Sequence, residues 1–490
     1  MSPFVTKAKG LFYVDVHYDF DMEANMNQEN KVLKIHSIEA VVITALLMGL
    51  LGYLIIGVKA VPHIAVISGI VFLLIYGAIK RVGFKELEGA MAEGAKSGIG
   101  AVMIFFFIGM LISSWMASGT IPTFIYLSVE LVSGRFFYAI VFLVTAIIGV
   151  SLGSSLTTAA TLGVGFIGAS TALDMSPVIT AGAIVSGAFF GDKMSPLSDT
   201  TNLAATVAGA DLFDHIKNMA WTTIPAFIIS FIVFLVLSPE QTSTSIEQIE
   251  LVKETLIQLN LVNGYALLPF VILALLAFMK VPVTAALLGG TLSALIISIW
   301  TGNGMEMKGM LELLYSGYQS ASGVEDVDSM LTRGGIESMM FSVSVILLAL
   351  SMGGLLFRLG IIPALLSIVQ RFLNRVSILI CSTAGMAVAV NFIIGEQYLS
   401  VLLTGNAFKD YYKKAGLEPK HLSRVLEDAG TVVNPLVPWS VCGVFIASVL
   451  GVSVVEYAPF AMFCLLCPLI TVFYGFTGIS LPKTIKNTQK

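Results

Sequence analysis

Charged residues are scarce in this chain, because only 12% of its 490 residues are Asp, Glu, Lys or Arg. The 27 basic and 31 acidic side chains leave a net charge of −4 and form no long basic block, so nothing points to a nucleic-acid partner. Apolar residues make up 56% of the chain, and its mean hydropathy is +0.90. This composition is far from that of a soluble domain and indicates a polytopic membrane protein.

Cysteine is also rare, and the four cysteines all lie in apolar runs: Cys381, Cys442, Cys464 and Cys467. Their number and spacing suggest neither a disulfide framework nor a zinc site. Cys464 and Cys467 have C-x-x-C spacing, and we interpret them as residues that pack between membrane helices. No cofactor is expected, and no cleavable signal peptide is visible because the N-terminal residues are mixed and polar.

Apolar runs of the roughly 20 residues that cross a bilayer recur about a dozen times. They lie near 38–58, 61–80, 97–118, 135–152, 177–207, 221–238, 262–279, 281–300, 338–358, 376–394, 425–450 and 457–476. Two shorter apolar pieces, 121–132 and 361–372, are expected to be tilted, in-plane or short crossing helices. The predicted all-α chain is divided into a polar N-terminal tail (1–36), a membrane repeat (37–238), a polar linker (239–260), a second repeat (261–476) and a basic C-terminal tail (477–490).

The two repeats are predicted from residues that recur in register. Gly119 matches Gly360 at an offset of 360 − 119 = 241, and Gly153 matches Gly395 at 395 − 153 = 242. An earlier Val-Pro pair recurs at an offset of 281 − 61 = 220. The second half therefore carries an insertion, which the acidic loop at 318–337 supplies.

The distribution of basic residues predicts that the two repeats are inverted. Short loops rich in Lys and Arg favour the cytoplasm, so the acidic connections at 239–260 and 302–337 are placed outside. This requires the two short apolar pieces to cross, which gives each half an odd number of crossings, as in many secondary transporters. Arg371 and Arg375 do not fit this assignment.

Polar side chains at bilayer depth persist only where they line protein interior or a water-filled cavity, so they indicate function. The densest cluster is "GDKMSPLSDTTNLAA", which begins at Gly191 and contains the helix breaker Pro196. A broken helix frees carbonyl groups and points two helix ends into the membrane, where they can bind ions. A second cluster, "EDAGTVVNPLVPWS" from Glu427, contains comparable breakers.

Hydroxyl and amide oxygens in the first cluster are hard ligands suited to Na⁺, with Asp192 and Asp199 supplying charge. Na⁺ is predicted at Asp199, Thr200 and Asn202. Because a buried carboxylate can bind H⁺ or Na⁺ in turn, one Asp could alternate between them and so exchange the two ions.

Lys193 has three open interpretations. It could neutralise an empty carboxylate until Na⁺ or H⁺ arrives, hold a substrate carboxylate, or extend to a membrane boundary. Glu396 is predicted to be functional because it lies in an apolar run. Glu427 and Asp428 are less clear, since nearby basic residues suggest that their helix begins close to the membrane surface.

Four stretches resemble the signatures of the NhaC-type Na⁺/H⁺ antiporters: "SLGSSLTTAATLGVGFIG", "GDKMSPLSDTTNLAA", "GEQYLSVLL" and "EDAGTVVNPLVPWSVCG". The resemblance implies membership of the ion transporter superfamily, with inverted repeats, re-entrant hairpins at 153–172 and 395–415, and two interrupted helices. It also implies a multi-pass protein of a prokaryotic plasma membrane, an elevator-like mechanism and a homodimer.

The candidate site residues form two sets. The acids predicted to bind ions or protons are Asp192, Asp199, Glu396 and Asp428. The side chains predicted to coordinate the ion or substrate are Ser154, Ser155, Thr157, Lys193, Ser198, Thr200, Thr201, Asn202, Gln397, Thr431, Asn434 and Ser440. For the hydroxyls among residues 151–161, helix packing is the commoner role of such side chains.

The predicted function is exchange of Na⁺ for H⁺, with an Na⁺/H⁺-coupled malate/lactate antiporter as the alternative within the same family. The acids favour the former, because at least three of them accompany a single lysine. An intramembrane aspartyl protease fits poorly, since Phe189 stands where its G-x-G-D motif needs glycine. A passive channel needs a continuous pore rather than paired broken helices.

Overall fold

The fold is all-helical in a computed structural model that describes residues 32–131, 136–238, 245–279, 281–301, 306–369 and 375–481. Most of the predicted N-terminal tail, 1–36, lies outside the described residues, as do residues 482–490 of the predicted C-terminal tail. The same holds for 239–244 of the predicted linker.

The first half of the described chain contains eleven α-helices, of which the last is the longest. Its helices are α1 (Ser37–Gly52), α2 (Pro62–Ile79), α3 (Phe84–Ser97), α4 (Ile99–Ala117), α5 (Thr120–Leu131), α6 (Phe137–Leu152), α7 (Ser155–Thr158), α8 (Val164–Ala172), α9 (Pro177–Met194), α10 (Asp199–Ala208) and α11 (Leu212–Leu237). A π-helical turn, Ala159–Gly163, joins α7 to α8, and another, Tyr53–Gly57, extends α1.

The second half of the described chain contains thirteen α-helices. Its helices are α12 (Ser245–Gln258), α13 (Leu268–Phe278), α14 (Val283–Trp300), α15 (Met307–Ser316), α16 (Glu325–Leu331), α17 (Gly335–Arg358), α18 (Ile361–Val369), α19 (Val376–Ile394), α20 (Gln397–Lys414), α21 (Pro419–Leu426), α22 (Val441–Leu450), α23 (Val454–Tyr457) and α24 (Met462–Thr477). A π-helical turn, Glu427–Thr431, continues α21.

Seven described helices are long and apolar enough to cross a membrane, and two bent pairs raise that number to nine. Two shorter apolar helices, Phe137–Leu152 and Gly264–Phe278, coincide with further predicted spans. The predicted span at 177–207 is instead divided between α9 and α10. The predicted all-α membrane fold is confirmed.

Both halves carry the same local signals at the same spacing. Gly153 and Gly395 each end a helix with positive φ, 65° and 78°, a conformation that glycine adopts without strain. Ser198 and Ser440 each cap the helix that follows a break, at an offset of 440 − 198 = 242. The described elements therefore recur in one order, while the inversion of one repeat and the repeat boundaries stay predictions.

The re-entrant hairpins expected at 153–172 and 395–415 stay predictions. The first range contains α7, a π-helical turn and α8, and the second contains α20; they directly follow α6 and α19. The second hairpin is held by Ser400, whose hydroxyl donates to the carbonyl of Ala387 at 2.7 Å. In the first, α6 contacts the π-helical turn after α7. The helices α6 and α19 coincide with the predicted spans 135–152 and 376–394, and α19 is long and apolar enough to cross a membrane.

The acidic insertion predicted at 318–337 contains a compact connector. Asp328 accepts hydrogen bonds from the Ser320 hydroxyl (2.7 Å) and from the backbone N–H groups of Ser322 (2.7 Å) and Gly323 (3.2 Å). These bonds favour the ionised form and lower the pKa of Asp328 to about 2. The loop therefore keeps its negative charge throughout the physiological pH range.

Helices α6 and α9 pack at a distance that only glycine permits. A Cβ atom on Gly191 would lie 2.4 Å from the carbonyl carbon of Gly149. Contact this close has no room for a methyl group, so these glycines determine how near Asp192 comes to the first hairpin.

We expect Gly191→Ala to lower the free energy of unfolding by about 1–3 kcal/mol, because the methyl group must push two backbones apart. The matched control is Gly49→Ala in α1, where nothing lies within 4 Å of the added atom. Thermal unfolding of the purified protein in detergent measures both. Equal melting temperatures for the two variants would contradict the close packing of α6 on α9.

Candidate functional site

Each hairpin tip contacts the break in the interrupted helix of its own half. In the first half, the hydroxyl of Ser155 donates to Oδ2 of Asp192 at 2.7 Å. In the second half, the N–H of Val441 donates to the carbonyl of Gly395 at 2.8 Å. Both breaks are therefore held in place by a loop that enters the protein core.

The first break, residues 195–198, has little free hydrogen-bonding capacity in its backbone. Ser198 caps α10 by accepting from the N–H of Thr201. The hydroxyl of Thr201 donates back to the carbonyl of Lys193 at 3.1 Å. Because Thr201 already satisfies a carbonyl freed by the break, the side chains are the main groups left to bind a ligand here.

A buried ion pair joins the two halves. Lys193 Nζ contacts Asp428 Oδ1, and both side chains are 0% exposed. Asp428 also accepts from the hydroxyls of Thr222, at 3.1 Å, and Thr471. Four elements therefore meet at one carboxylate: α9, the π-helical turn after α21, α11 and α24.

Its burial excludes one of the three interpretations of Lys193. The side chain does not extend to a membrane boundary, because it is fully buried. Its ammonium group pairs with Asp428 rather than with the neighbouring Asp192. The thiol of Cys467 lies 3.8 Å from Nζ, so Lys193 is enclosed by groups from both halves.

Two further carboxylates at the breaks are buried without a basic partner among the described residues. Asp192 is 5% exposed and is bonded by the hydroxyl of Ser155. Glu427 is 0% exposed; its Oε1 accepts from Thr200 at 3.2 Å, while its Oε2 has no partner. Glu427 was not among the candidate site residues predicted from sequence, although it stands beside Asp428 within a motif of the family.

The structure does not bring together the three predicted Na⁺ ligands. Successive residues of a helix point about 100° apart, so Asp199 and Asn202 lie on the exposed side of α10 while Thr200 faces the core. Asp199 and Asn202 line a cavity of about 360 Å³ together with Ser154 and Thr157. Thr200 instead contacts Glu427.

The side chains of the second half mostly support the break itself. Glu396 is partly buried and caps α20, with Oε2 accepting from the N–H of Leu399 at 2.7 Å. The amide of Asn434 donates to Asn391 Oδ1 at 2.8 Å and accepts from the N–H of Cys442 at 3.0 Å. Ser440 donates to the carbonyl of Asn434 at 2.6 Å.

Three residues at this centre were not predicted from sequence, namely Asn391, Thr222 and Thr471. Each lies in a largely apolar helix that also carries other polar side chains, and such side chains commonly serve helix packing in membranes. Two predicted residues, Gln397 and Thr431, are buried with a side-chain oxygen that has no partner among the described residues.

Within the described part of the chain, no group of three or more His, Cys, Asp or Glu side chains could hold a metal ion. The centre offers oxygen donors of mixed type instead. Such donors suit alkali or alkaline-earth cations better than transition metals.

Comparison with known proteins places these residues in a family. The family model of the Na⁺/H⁺ antiporter family matches residues 187–479, which include both breaks and the second hairpin. The chain belongs to the Na⁺/H⁺ antiporter family. This confirms the resemblance on which the site residues were carried over, and it identifies a multi-pass protein of the plasma membrane.

Individual relatives of this antiporter chain match it over most of its length. The Na⁺/H⁺ antiporter NhaC of Alkalihalophilus pseudofirmus is 40% identical over 444 residues, 90% of this chain and 96% of that protein. The NhaC of Bacillus subtilis is 37% identical over 85% of this chain and 92% of its own. A malate-2H⁺/Na⁺-lactate antiporter of Bacillus subtilis is 33% identical over 84% and 88%.

We expect Lys193→Met to destabilise this antiporter by about 3–5 kcal/mol, because it leaves the Asp428 carboxylate buried and unpaired. The double variant Lys193→Met/Asp428→Asn removes both charges and keeps an oxygen that can accept from Thr222. Most of the lost stability should therefore return. Thermal unfolding in detergent compares the two, and a double variant no more stable than the single one would contradict the role of the ion pair.

Proposed function

We propose that this chain exchanges Na⁺ for H⁺ across the plasma membrane by binding the two ions in turn at buried carboxylates between its helix breaks. The observation that carries the proposal is the setting of Asp192, which is buried at a break and bonded by a hydroxyl group rather than by a basic side chain. An ionised carboxylate in such a place is costly unless a cation or a proton neutralises it.

The cavity beside the first break would be the approach to that carboxylate, which is not itself part of the lining. Asp199, Asn202, Ser154 and Thr157 present polar groups on one side of it, and residues of α13 and α14 form an apolar wall. Asp199 can attract a hydrated cation from solution, and the hairpin hydroxyls can replace part of its water shell. Alternating access would follow if the two sets of helices that flank the cavity move against one another, as in an elevator.

Such a transporter needs no catalytic residue and no resident cofactor, since Na⁺ and H⁺ are its cargo. The homodimer implied by the family resemblance is part of the same proposal. In a dimer, the helices on the far side of the cavity would form the stationary part.

An organic-acid exchanger is the second candidate, because a relative at 33% identity is named a malate-2H⁺/Na⁺-lactate antiporter. A carboxylate substrate needs a basic group to hold it. Lys193 is the basic residue at the first break, and it is already paired with Asp428. Na⁺/H⁺ exchange without an organic acid is therefore favoured.

Asp192→Asn should abolish Na⁺-driven proton movement while leaving the protein folded, because it removes the charge and preserves the shape. The control is Asp174→Asn, an exposed residue at φ 52°, where asparagine is equally well accommodated. Proteoliposomes with an imposed pH gradient and an internal pH-sensitive dye report the response to added NaCl. Normal exchange by the Asp192→Asn variant would overturn the assignment of this carboxylate.

A further inference from the structure

Glu427 is the buried acid that the exchange scheme above does not use. It begins the π-helical turn Glu427–Thr431 in the second half and contacts Thr200, on α10 of the first half, at 3.2 Å. Its charged neighbours are Asp192 and Lys193. The ammonium group of Lys193 is held by Asp428, so it does not pair with Glu427.

The charges at this point do not balance. Glu427, Asp428, Lys193 and Arg424 are all 0% exposed and Asp192 is 5% exposed; when ionised, these three acids and two bases sum to −1. A net charge buried this completely is neutralised by a proton or by a bound cation. Lys193 pairs with Asp428 and Arg424 also interacts with Asp428, so Glu427 is left without an ion-pair partner.

Oxygen atoms with unused bonding capacity surround the same carboxylate. Glu427 Oε2 and the hydroxyl of Thr431 are both buried and make no hydrogen bond of good geometry among the described residues, but Thr431 lies close enough to the carboxylate to interact with it. Thr431 follows Glu427 by four residues, which places both on one side of the turn. The hydroxyl of Thr200 contacts Oε1 from the opposite half.

The chemistry of these three donors selects the ligand. One carboxylate and two neutral hydroxyls are hard oxygen ligands, which prefer a hard cation such as Na⁺ to a transition metal. The hydroxyl of Thr200 also contacts that of Ser198 at 3.0 Å. Ser198 can therefore accept a hydrogen bond from the Thr200 hydroxyl while the Thr200 oxygen faces a cation.

We propose that Glu427, Thr200 and Thr431 form a dehydrated Na⁺ site between the two halves, separate from the cavity that Asp199 and Asn202 line. The proposal rests on the proposed function in that Na⁺ is the transported cation. The ligands come from both interrupted helices, so the site is complete only where the two halves meet. The exposed cavity would then receive the hydrated ion, and Glu427 would bind it after water is removed.

Equilibrium binding of ²²Na⁺ to the purified full chain tests this site apart from transport. We expect Glu427→Gln to weaken binding by roughly tenfold to hundredfold and Thr431→Val by about tenfold, as for lost groups at other metal sites. Thr431→Ser keeps the hydroxyl and should bind as the unmodified chain does. The control is Thr223→Val, which also removes a buried hydroxyl without a partner.

The outcomes separate this site from the proposed function. Unchanged ²²Na⁺ binding in both Glu427→Gln and Thr431→Val would overturn the site, even if the unmodified chain exchanges Na⁺ for H⁺. Binding that depends on Glu427 in a chain that exchanges no protons would overturn the proposed function and leave the site standing. If Glu427→Gln does not fold, the comparison of Thr431→Val with Thr431→Ser decides the matter, and equal binding by those two would overturn the site.

Discussion

Two helices of this protein stop inside its apolar core, and every group that these breaks leave unpaired must find a partner away from water. Most of the backbone groups do so locally, through Ser198 and Thr201 in the first half and through Asn434 and Ser440 in the second. The carboxylates are different, because their charge requires a cation or a proton. Ion binding is therefore the natural consequence of building a membrane protein with acids at its helix breaks.

The pair of Lys193 and Asp428 gives this arrangement its geometry. It links the interrupted helix of one half to that of the other, with hydroxyl groups from α11 and α24 completing the shell. A buried pair of this kind contributes less to net stability than its Coulomb energy suggests, because both ions lose their water. Because Lys193 pairs with Asp428, Asp192 and Glu427 are the buried acids at the breaks that have no basic partner among the described residues.

Much of the fold could be predicted from the sequence, because apolar runs and helix-breaking residues act locally. Gly153 and Gly395 end helices with positive φ, and Pro196 and Ser440 lie at helix breaks. The hairpins were implied by the family resemblance instead, because composition does not distinguish a helix that crosses the membrane from one that turns back.

The contacts of individual side chains could not be predicted from the sequence. Asp199, Thr200 and Asn202 are close in the chain, yet the helix directs Thr200 to the core and the other two to the cavity. Lys193 stands beside Asp192 but pairs with Asp428, 428 − 193 = 235 residues away. Which partner a side chain contacts depends on how two distant segments pack, and a local sequence pattern does not contain that information.

The most direct test of the account is the ion requirement of the unmodified chain in sealed proteoliposomes. With an imposed pH gradient, we predict that NaCl alone collapses the gradient, and that malate outside with lactate inside changes neither the rate nor the extent. Collapse that requires the organic acids would contradict exchange of cations at the carboxylates of the helix breaks. It would show instead that basic groups in the core release their partners to hold an anionic substrate.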